Sequence, residues 1–203
     1  MATAVTETPL QAAVQGPPRK RWTRSECAVL EDAGLFDQER VELIAGELIT
    51  KMGKKRPHVD TAALLLEWLI LVFGGRFVNS EAPIDVAPED NPTNEPVPDL
   101  IVLNRSYSGF RSATPQPKDL QLVVEVADSS LTFDLTVKAA LYARAGIVEY
   151  WVLDVSGRRL VVHRDPRDGR YRSISDLSEQ ESVAPLGAPD SAFLVGSAFP
   201  TEG

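Results

Sequence analysis

The sequence predicts one domain of the α/β (α+β) class, a mixed β-sheet flanked by helices. Three observations carry that expectation. The elements read in order as helix, strands, helix, strand, an order satisfied by packing helices onto a mixed sheet. The strand-like runs are short and rich in Val, Ile and Leu, whereas the helix-like runs are longer and close on glycine. No segment recurs at a period of roughly 20–50 residues, which sets aside solenoids and propellers. At 203 residues, with 43% hydrophobic and 25% charged side chains, the chain is long enough to bury one full core.

Residues 1–22 are rich in Ala, Thr, Gln and Pro without an amphipathic period, and read as a disordered arm preceding a domain over 23–203. Thr23-x-x-Glu26 has the form of a capping box, so a helix is expected at 24–33, with Gly34 as its stop. The run VELIAGELITKM suggests a hairpin turning at Ala45-Gly46. Pro57 precedes a helix over 58–73 that is apolar nearly all round, which predicts burial, and Gly74-Gly75 ends it. Four extended segments follow, at 76–80, 83–88, 98–104 and 119–128, with an acidic, proline-containing loop at 88–97. LTFDLTVKAALYARAG carries Leu135, Ala139, Leu141 and Tyr142 at helical spacing and closes on Gly146. EYWVLD is a strand, and RRLVVHRD with RYRSIS forms a hairpin around Asp168-Gly169. The tail through Phe193 and Phe199 reads as an edge strand or docked coil.

Composition narrows the function classes. The single cysteine, Cys27, sits in an apolar helical context and reads as a packing residue; it leaves no disulfide framework and no multi-cysteine zinc site. The N-terminal stretch lacks a charged start followed by a long apolar run, and the most apolar segment, 62–73, is interrupted by Glu67. Cytoplasmic residence with no membrane span is therefore expected. Neither a GxxxxGK[ST] phosphate loop nor a G-x-S-x-G nucleophile elbow is present. A net charge of −8 disfavours general avidity for polyanions, so a nucleic-acid partner needs a local basic patch. Two candidates exist, Arg19-Lys20-Arg21 and the group Lys51, Lys54, Lys55 and Arg56. Either could equally be a solvated surface run.

Side chains alternate between the faces of a strand, which places Asp99 with Ile101 and Leu103, and Glu125 with Val123 and Ala127. Ionised carboxylates among apolar neighbours need a compensating partner. A divalent cation is one such partner. The other is a cationic side chain: Asp134 and Lys138, four apart on one helix face, follow the Glu125 strand closely, and Lys138 could meet Glu125 as a plain salt bridge. His58, beside a helix start, could be a structural hydrogen-bonding residue or a functional one. His163 reads as a surface residue on a peripheral strand, and Trp68, Tyr150 and Trp151 as core aromatics.

The segments ELIAGEL, His58 opening a helix, PDLIVLN, LVVEVADSS, FDLTVKAALYARAG and VEYWVLD, in this order, resemble the Uma-two family of restriction-endonuclease-like proteins, grouped with the PD-(D/E)XK nuclease superfamily. The resemblance spans about 23–162 and continues weakly to the end. It implies a restriction-endonuclease-like core of helix, three-stranded meander, helix and strand, with the active site at the strand ends. Asp99 and Glu125 would then bind Mg²⁺ or Mn²⁺, and His58 and Glu42 would add contacts to the site. The superfamily lysine would stand at 127, but Ala127 is there, so the resemblance hands that role to Lys138 on the next helix. Ala45 also departs from the family, where an acidic residue commonly precedes the glycine.

The resulting expectation is metal-assisted phosphodiester hydrolysis on DNA. Lys138 would orient or help deprotonate the attacking water, and Asp99→Ala or Lys138→Ala would abolish cleavage with the fold intact. A homodimer follows by analogy with nucleases that cut two strands. Two other readings stay open: a nuclease-fold DNA-binding or regulatory module that does not cut, and a structural protein in which Asp99, Glu125, His58 and Lys138 form a satisfied polar network.

Overall fold

The structure, a computed structural model, describes residues 19–51, 55–111 and 113–200. Residues 1–18 of the expected arm and Lys54 of the expected basic patch lie outside the described residues. Helix α1 (Arg24–Asp32) begins with the predicted capping box. The Thr23 hydroxyl accepts from the Glu26 amide at 3.3 Å and the Glu26 carboxylate accepts from the Thr23 amide at 3.0 Å. Cys27 is buried in this helix as a packing residue.

Strands β1 (Val41–Ile44) and β2 (Glu47–Thr50) form the expected hairpin. Its turn needs two left-handed residues, supplied by Ala45 and Gly46 at φ 50° and 75°. A Cβ on Gly46 would meet the Arg21 side chain at 2.9 Å, because residues 21–22 run against the hairpin and the Trp22 amide donates to the Gly46 carbonyl at 2.8 Å. Paired backbone bonds between Leu43 and Glu95 tie the hairpin to the 88–97 loop.

Helix α2 (Arg56–Phe73) starts two residues before the expected boundary, with Pro57 inside its first turn, where a missing amide N–H costs nothing. The burial expected of it is corrected. His58, Thr61, Leu65 and Leu69 face inward, but Val59, Leu64, Ile70 and Leu71 are exposed, Leu71 at 77%. One side of the sheet covers only one stripe of a helix, however apolar the other side is.

Six strands form the main sheet in the spatial order β3 (Val78–Ser80), β4 (Leu100–Leu103), β5 (Leu120–Ala127), β6 (Glu149–Asp154), β7 (Arg159–Arg167) and β8 (Arg170–Ser178). All neighbours are antiparallel except β5 and β6, which are parallel. A parallel pair requires a crossover, and the segment between them is helical: α3 (Leu131–Phe133), a π-helical turn (Asp134–Lys138) and α4 (Ala139–Arg144). The fold is thus α+β with a mixed sheet flanked by helices.

Strand alternation divides the core as the sequence predicts. Ile101, Leu103, Val123, Ala127, Tyr150 and Val152 pack toward α4, and Leu100, Val102, Leu122, Val124, Trp151 and Leu153 pack toward α2. The short pair β9 (Ser182–Val183) and β10 (Phe193–Leu194) docks on the α2 side through Val183 and Phe193, and the tail beyond it through Phe199. Among the described residues no helix is long and apolar enough to cross a membrane.

Two further expectations are corrected. Residues 83–88 are not a strand: Ile84 and Val86 are buried, but the Ile84, Asp85 and Val86 amides donate to the Pro96 carbonyl, the Pro115 carbonyl and the Asn91 side chain. Prolines 83, 88, 96 and 98 remove donors that a ladder here would need. His163 is not a surface residue. It is buried between the rings of Tyr150 and Tyr171, 5.3 and 5.4 Å away, because β8 rather than β7 is the outer strand.

Candidate active site

Where the β4 and β5 strands meet the hairpin and the crossover helix, a cavity of about 220 Å³ opens to the surface. Leu100 pairs with Val124, so one further step of the antiparallel register sets Asp99 across from Glu125. Both carboxylates line the cavity, together with Glu42 from β1, His58 from the first turn of α2, and Asp134 and Lys138 from the π-helical turn. Lys51 and Lys55 stand at its rim. The structure therefore gathers Asp99, Glu125, Lys138, His58 and Glu42 in one place, although they come from five separate elements. Arg56 is not among the lining residues; its exposed side chain pairs with Asp60 one turn along α2.

Each side chain has identifiable restraints. Asp99 Oδ2 accepts from the Val126 amide at 2.8 Å and lies 3.5 Å from His58 Nε2, while Oδ1 is 3.9 Å from Lys51 Nζ. Lys51 also donates to the Val97 carbonyl. Glu42 accepts from the Val97 amide at 3.2 Å. Lys138, 2% exposed, sits among three carboxylates: 2.9 Å from Glu42, 2.9 Å from Glu125 and 3.8 Å from Asp134. Lys55 closes an ion pair with Asp128 at the mouth, 3.1 Å long. The Nδ1 atom of His58 is buried with no hydrogen-bond partner among the described residues.

Lys138 alone cannot neutralise the three buried carboxylates around it. Burial, followed by the charges of Asp134 and Asp99, outweighs the pull of Lys138 and Lys51 and raises the Glu125 pKa to about 8. Burial likewise raises Asp134, against the opposing charge of Lys138 and the Ser130 hydroxyl that donates to it. For Lys138 burial acts to lower the pKa, but Glu125, Glu42 and Asp134 together overcome it, and the ammonium is held more firmly than an exposed lysine. It stays charged throughout the physiological range. That favours the orienting role expected of Lys138 over the proton-accepting one.

The sequence reading assigned no role to Tyr142. Its hydroxyl donates to Glu125 Oε1 at 3.0 Å, and its ring meets Tyr150 edge-on at 4.9 Å. The Tyr150 hydroxyl in turn donates to the Asp134 carbonyl at 3.1 Å, within the π-helical turn. A signal existed in the sequence: Asp134, Lys138 and Tyr142 recur at steps of four, one helix face aimed at one point. The π-helical turn itself had none. Removing only the hydroxyl, in Tyr142→Phe, leaves the ring packing and deletes one bond to a buried carboxylate. A loss of about 1.5–3 kcal/mol is expected in urea denaturation. A change below about 0.5 kcal/mol would mean Glu125 is held by Lys138 alone.

Among the described residues, no group of three or more His, Cys, Asp and Glu side chains could hold a metal ion by itself. Two carboxylates with water and substrate oxygens suit Mg²⁺ nonetheless, since that ion keeps much of its hydration shell. Comparison with known proteins bears on both fold and family. A crystal structure from Anabaena variabilis ATCC 29413, described as "a putative nuclease belonging to DUF820", superposes with a TM-score of 0.62. The match has 15% identity and covers 80% of this chain and 90% of that one, a likeness of fold. No curated protein matches the chain at a significant level. The model of the Uma2 family, described as "Putative restriction endonuclease", matches residues 29–195. Since that match takes in nearly all of the hairpin, sheet and crossover helix that build the cavity, the chain belongs to the Uma2 family.

Proposed function

We propose that the protein is a metal-dependent endonuclease that hydrolyses phosphodiester bonds of DNA, with Mg²⁺ or Mn²⁺ held by Asp99 and Glu125. The observation that carries this reading is the crowding of carboxylates in one cavity, with Glu125, Glu42 and Asp134 around the Lys138 ammonium and Asp99 beside them with Lys51 3.9 Å away. A site so poised gains from a second cation of hard, oxygen-seeking character. The family's description as a restriction endonuclease supplies the substrate class.

When bound, the divalent ion would activate a water and stabilise charge developing on the phosphate. The chain's own residues do the rest. The Val126 amide fixes Asp99, and Lys138 and the Tyr142 hydroxyl fix Glu125. Lys138 keeps its proton, so it orients a nucleophile or the phosphate by hydrogen bonding and charge. His58 steadies Asp99 through Nε2, at 3.5 Å. Lys51 and Lys55 offer charge to the phosphate backbone at the rim, which a chain of net charge −8 supplies nowhere by default.

A second reading, a nuclease-fold module that binds but does not cut, is favoured by the closed set of ion pairs around Lys138. Cleavage of single- and double-stranded DNA with and without Mg²⁺ separates the two. The nuclease reading expects turnover that EDTA stops and a melting temperature that Mg²⁺ raises. A protein that neither cuts nor responds thermally to Mg²⁺ or Mn²⁺ would contradict it.

Metal affinity should depend on pH with a definite sign. Burial raises the Glu125 pKa well above the usual carboxylate range, so Glu125 holds a proton more readily than an exposed glutamate does, and a bound cation displaces it. Affinity is therefore expected to climb as pH rises through the range where Glu125 loses that proton, and to level off above it. The stability of the metal-free protein runs the opposite way, falling as pH rises toward about 8 and Glu125 ionises. Calorimetric titration in buffers of different ionisation enthalpy measures the released proton; affinity flat with pH and no proton release would contradict the assignment.

A further inference from the structure

The main sheet has two edges, and they are built differently. β3 is three residues long, a short edge of the kind that resists pairing with another chain. β8 is nine residues long, contains neither proline nor lysine, and is exposed at every position from Arg172 to Asp176. Among the described residues no strand pairs with its outer side.

The hydrogen-bond phase of the sheet fixes which backbone groups of β8 face outward. The left-handed Asp165, at φ 57°, interrupts the ladder near the Asp168-Gly169 turn, so the phase is carried across from β5. The Val155 amide donates to the Ala127 carbonyl, which turns Ala127 toward β6 and, by alternation, Tyr150, Val152 and Asp154 toward β7 and Leu160, Val162 and Arg164 toward β8. Ser173, Ser175 and Leu177 accordingly turn their backbone groups toward β7. Ile174, Asp176 and Ser178 turn theirs outward, and the Ser178 amide and carbonyl bond the Glu181 side chain and amide instead of β7.

Read against a reversed copy of itself about Ile174, this strand is complementary. Ile174 falls opposite Ile174, and Arg172 opposite Asp176, in the pairs whose outward N–H and C=O groups would bond across the two copies and whose side chains stand side by side. Ser173 falls opposite Ser175 in the non-bonded pairs between them. All three lie on one face of the strand. Ile174 is 60% exposed, an apolar side chain with no cover in the single chain. The partners Arg172 and Asp176 now have, Asp168 and Arg159, belong to the same hairpin region and leave both charges at the surface.

We propose that the outer edge of β8 is a homodimer interface, in which two copies pair antiparallel about Ile174 and continue the sheet from one protomer into its partner. The proposal is independent of the nuclease reading. The occupant is a second copy rather than a foreign strand because the match of charge, hydroxyl and apolar residues is symmetric about one position.

Sedimentation equilibrium of the full chain over a range of concentrations tests it. The wild-type protein is expected to dimerise reversibly. Arg172→Glu and Asp176→Arg should each weaken the dimer about tenfold or more, since each sets two like-charge pairs opposite one another. The combined Arg172→Glu/Asp176→Arg variant should recover most of the loss, because the pairs are again opposite in sign. Ile174→Pro removes an outward amide without touching a β7 bond, and should yield monomer with unchanged circular dichroism. A wild-type protein that stays monomeric overturns the proposal. So does a dimer that these variants leave intact but Leu71→Lys on α2 dissolves, and so does single-variant loss that the charge swap fails to rescue.

Discussion

Replacing Lys138 by alanine is expected to destabilise the protein by about 3–5 kcal/mol, the range for removing one member of a buried ionic group. The sequence alone suggested that this variant would lose only activity. Burial changes that expectation, because Lys138 is 2% exposed and bonded to Glu42 and Glu125 at 2.9 Å each, with Asp134 at 3.8 Å. Without the ammonium, those carboxylates must take up protons or water on folding. A domain of this size holds only about 5–15 kcal/mol in total, so the melting temperature should fall by roughly 6–20 °C. Lys138→Ala/Glu125→Gln should recover part of the loss, since one uncompensated charge goes with its partner. Urea denaturation measures both, and a single variant within about 1 kcal/mol of wild type would mean the carboxylates do not depend on Lys138.

Asp99 carries the opposite expectation: a large effect on activity and a small one on stability. In Asp99→Asn the side-chain oxygen can still accept from the Val126 amide, now at 2.8 Å, so the strand end keeps its tether. The change also removes one negative charge from a site already rich in them. A melting temperature equal to or slightly above wild type is expected in the absence of metal. Cleavage should drop on the order of 10³-fold, as when a group aimed at the charge of a transition state is lost. Mg²⁺ should no longer raise the melting temperature. Cleavage within about tenfold of wild type would remove Asp99 from the mechanism.

Much of this site was legible in the sequence because it follows from short-range rules. Strand parity put Asp99 with Ile101 and Glu125 with Val123, and the structure packs both sets on one side of the sheet. The capping box at Thr23 and the left-handed pair at Ala45-Gly46 were readable for the same reason, each being set within four residues. Glu42 was different. Nothing local relates a hairpin residue to a carboxylate 83 positions later; only the resemblance to a family pointed to it, and the structure brings it to the same ammonium.

What the sequence did not disclose depends on irregular backbone or on what covers a surface. The π-helical turn widens the helix where Asp134 and Lys138 project, and no residue pattern announces it. The apolar face of α2 and the polar His163 were each read from composition, and each proved to be on the other side of the surface boundary. Burial is set by which strand is outermost and by how far a sheet extends, and neither is written in the element itself.

Metal-dependent cleavage requires Asp99 and Glu125 to share one divalent ion. A crystal soaked in Mn²⁺ and measured at the manganese absorption edge tests this directly. It should show an anomalous peak in the cavity, bonded to one oxygen of each carboxylate, with Lys138 still beside Glu125. Saturating Mn²⁺ with no peak there, and with Asp99 on the Val126 amide and Glu125 on Lys138 alone, would contradict it.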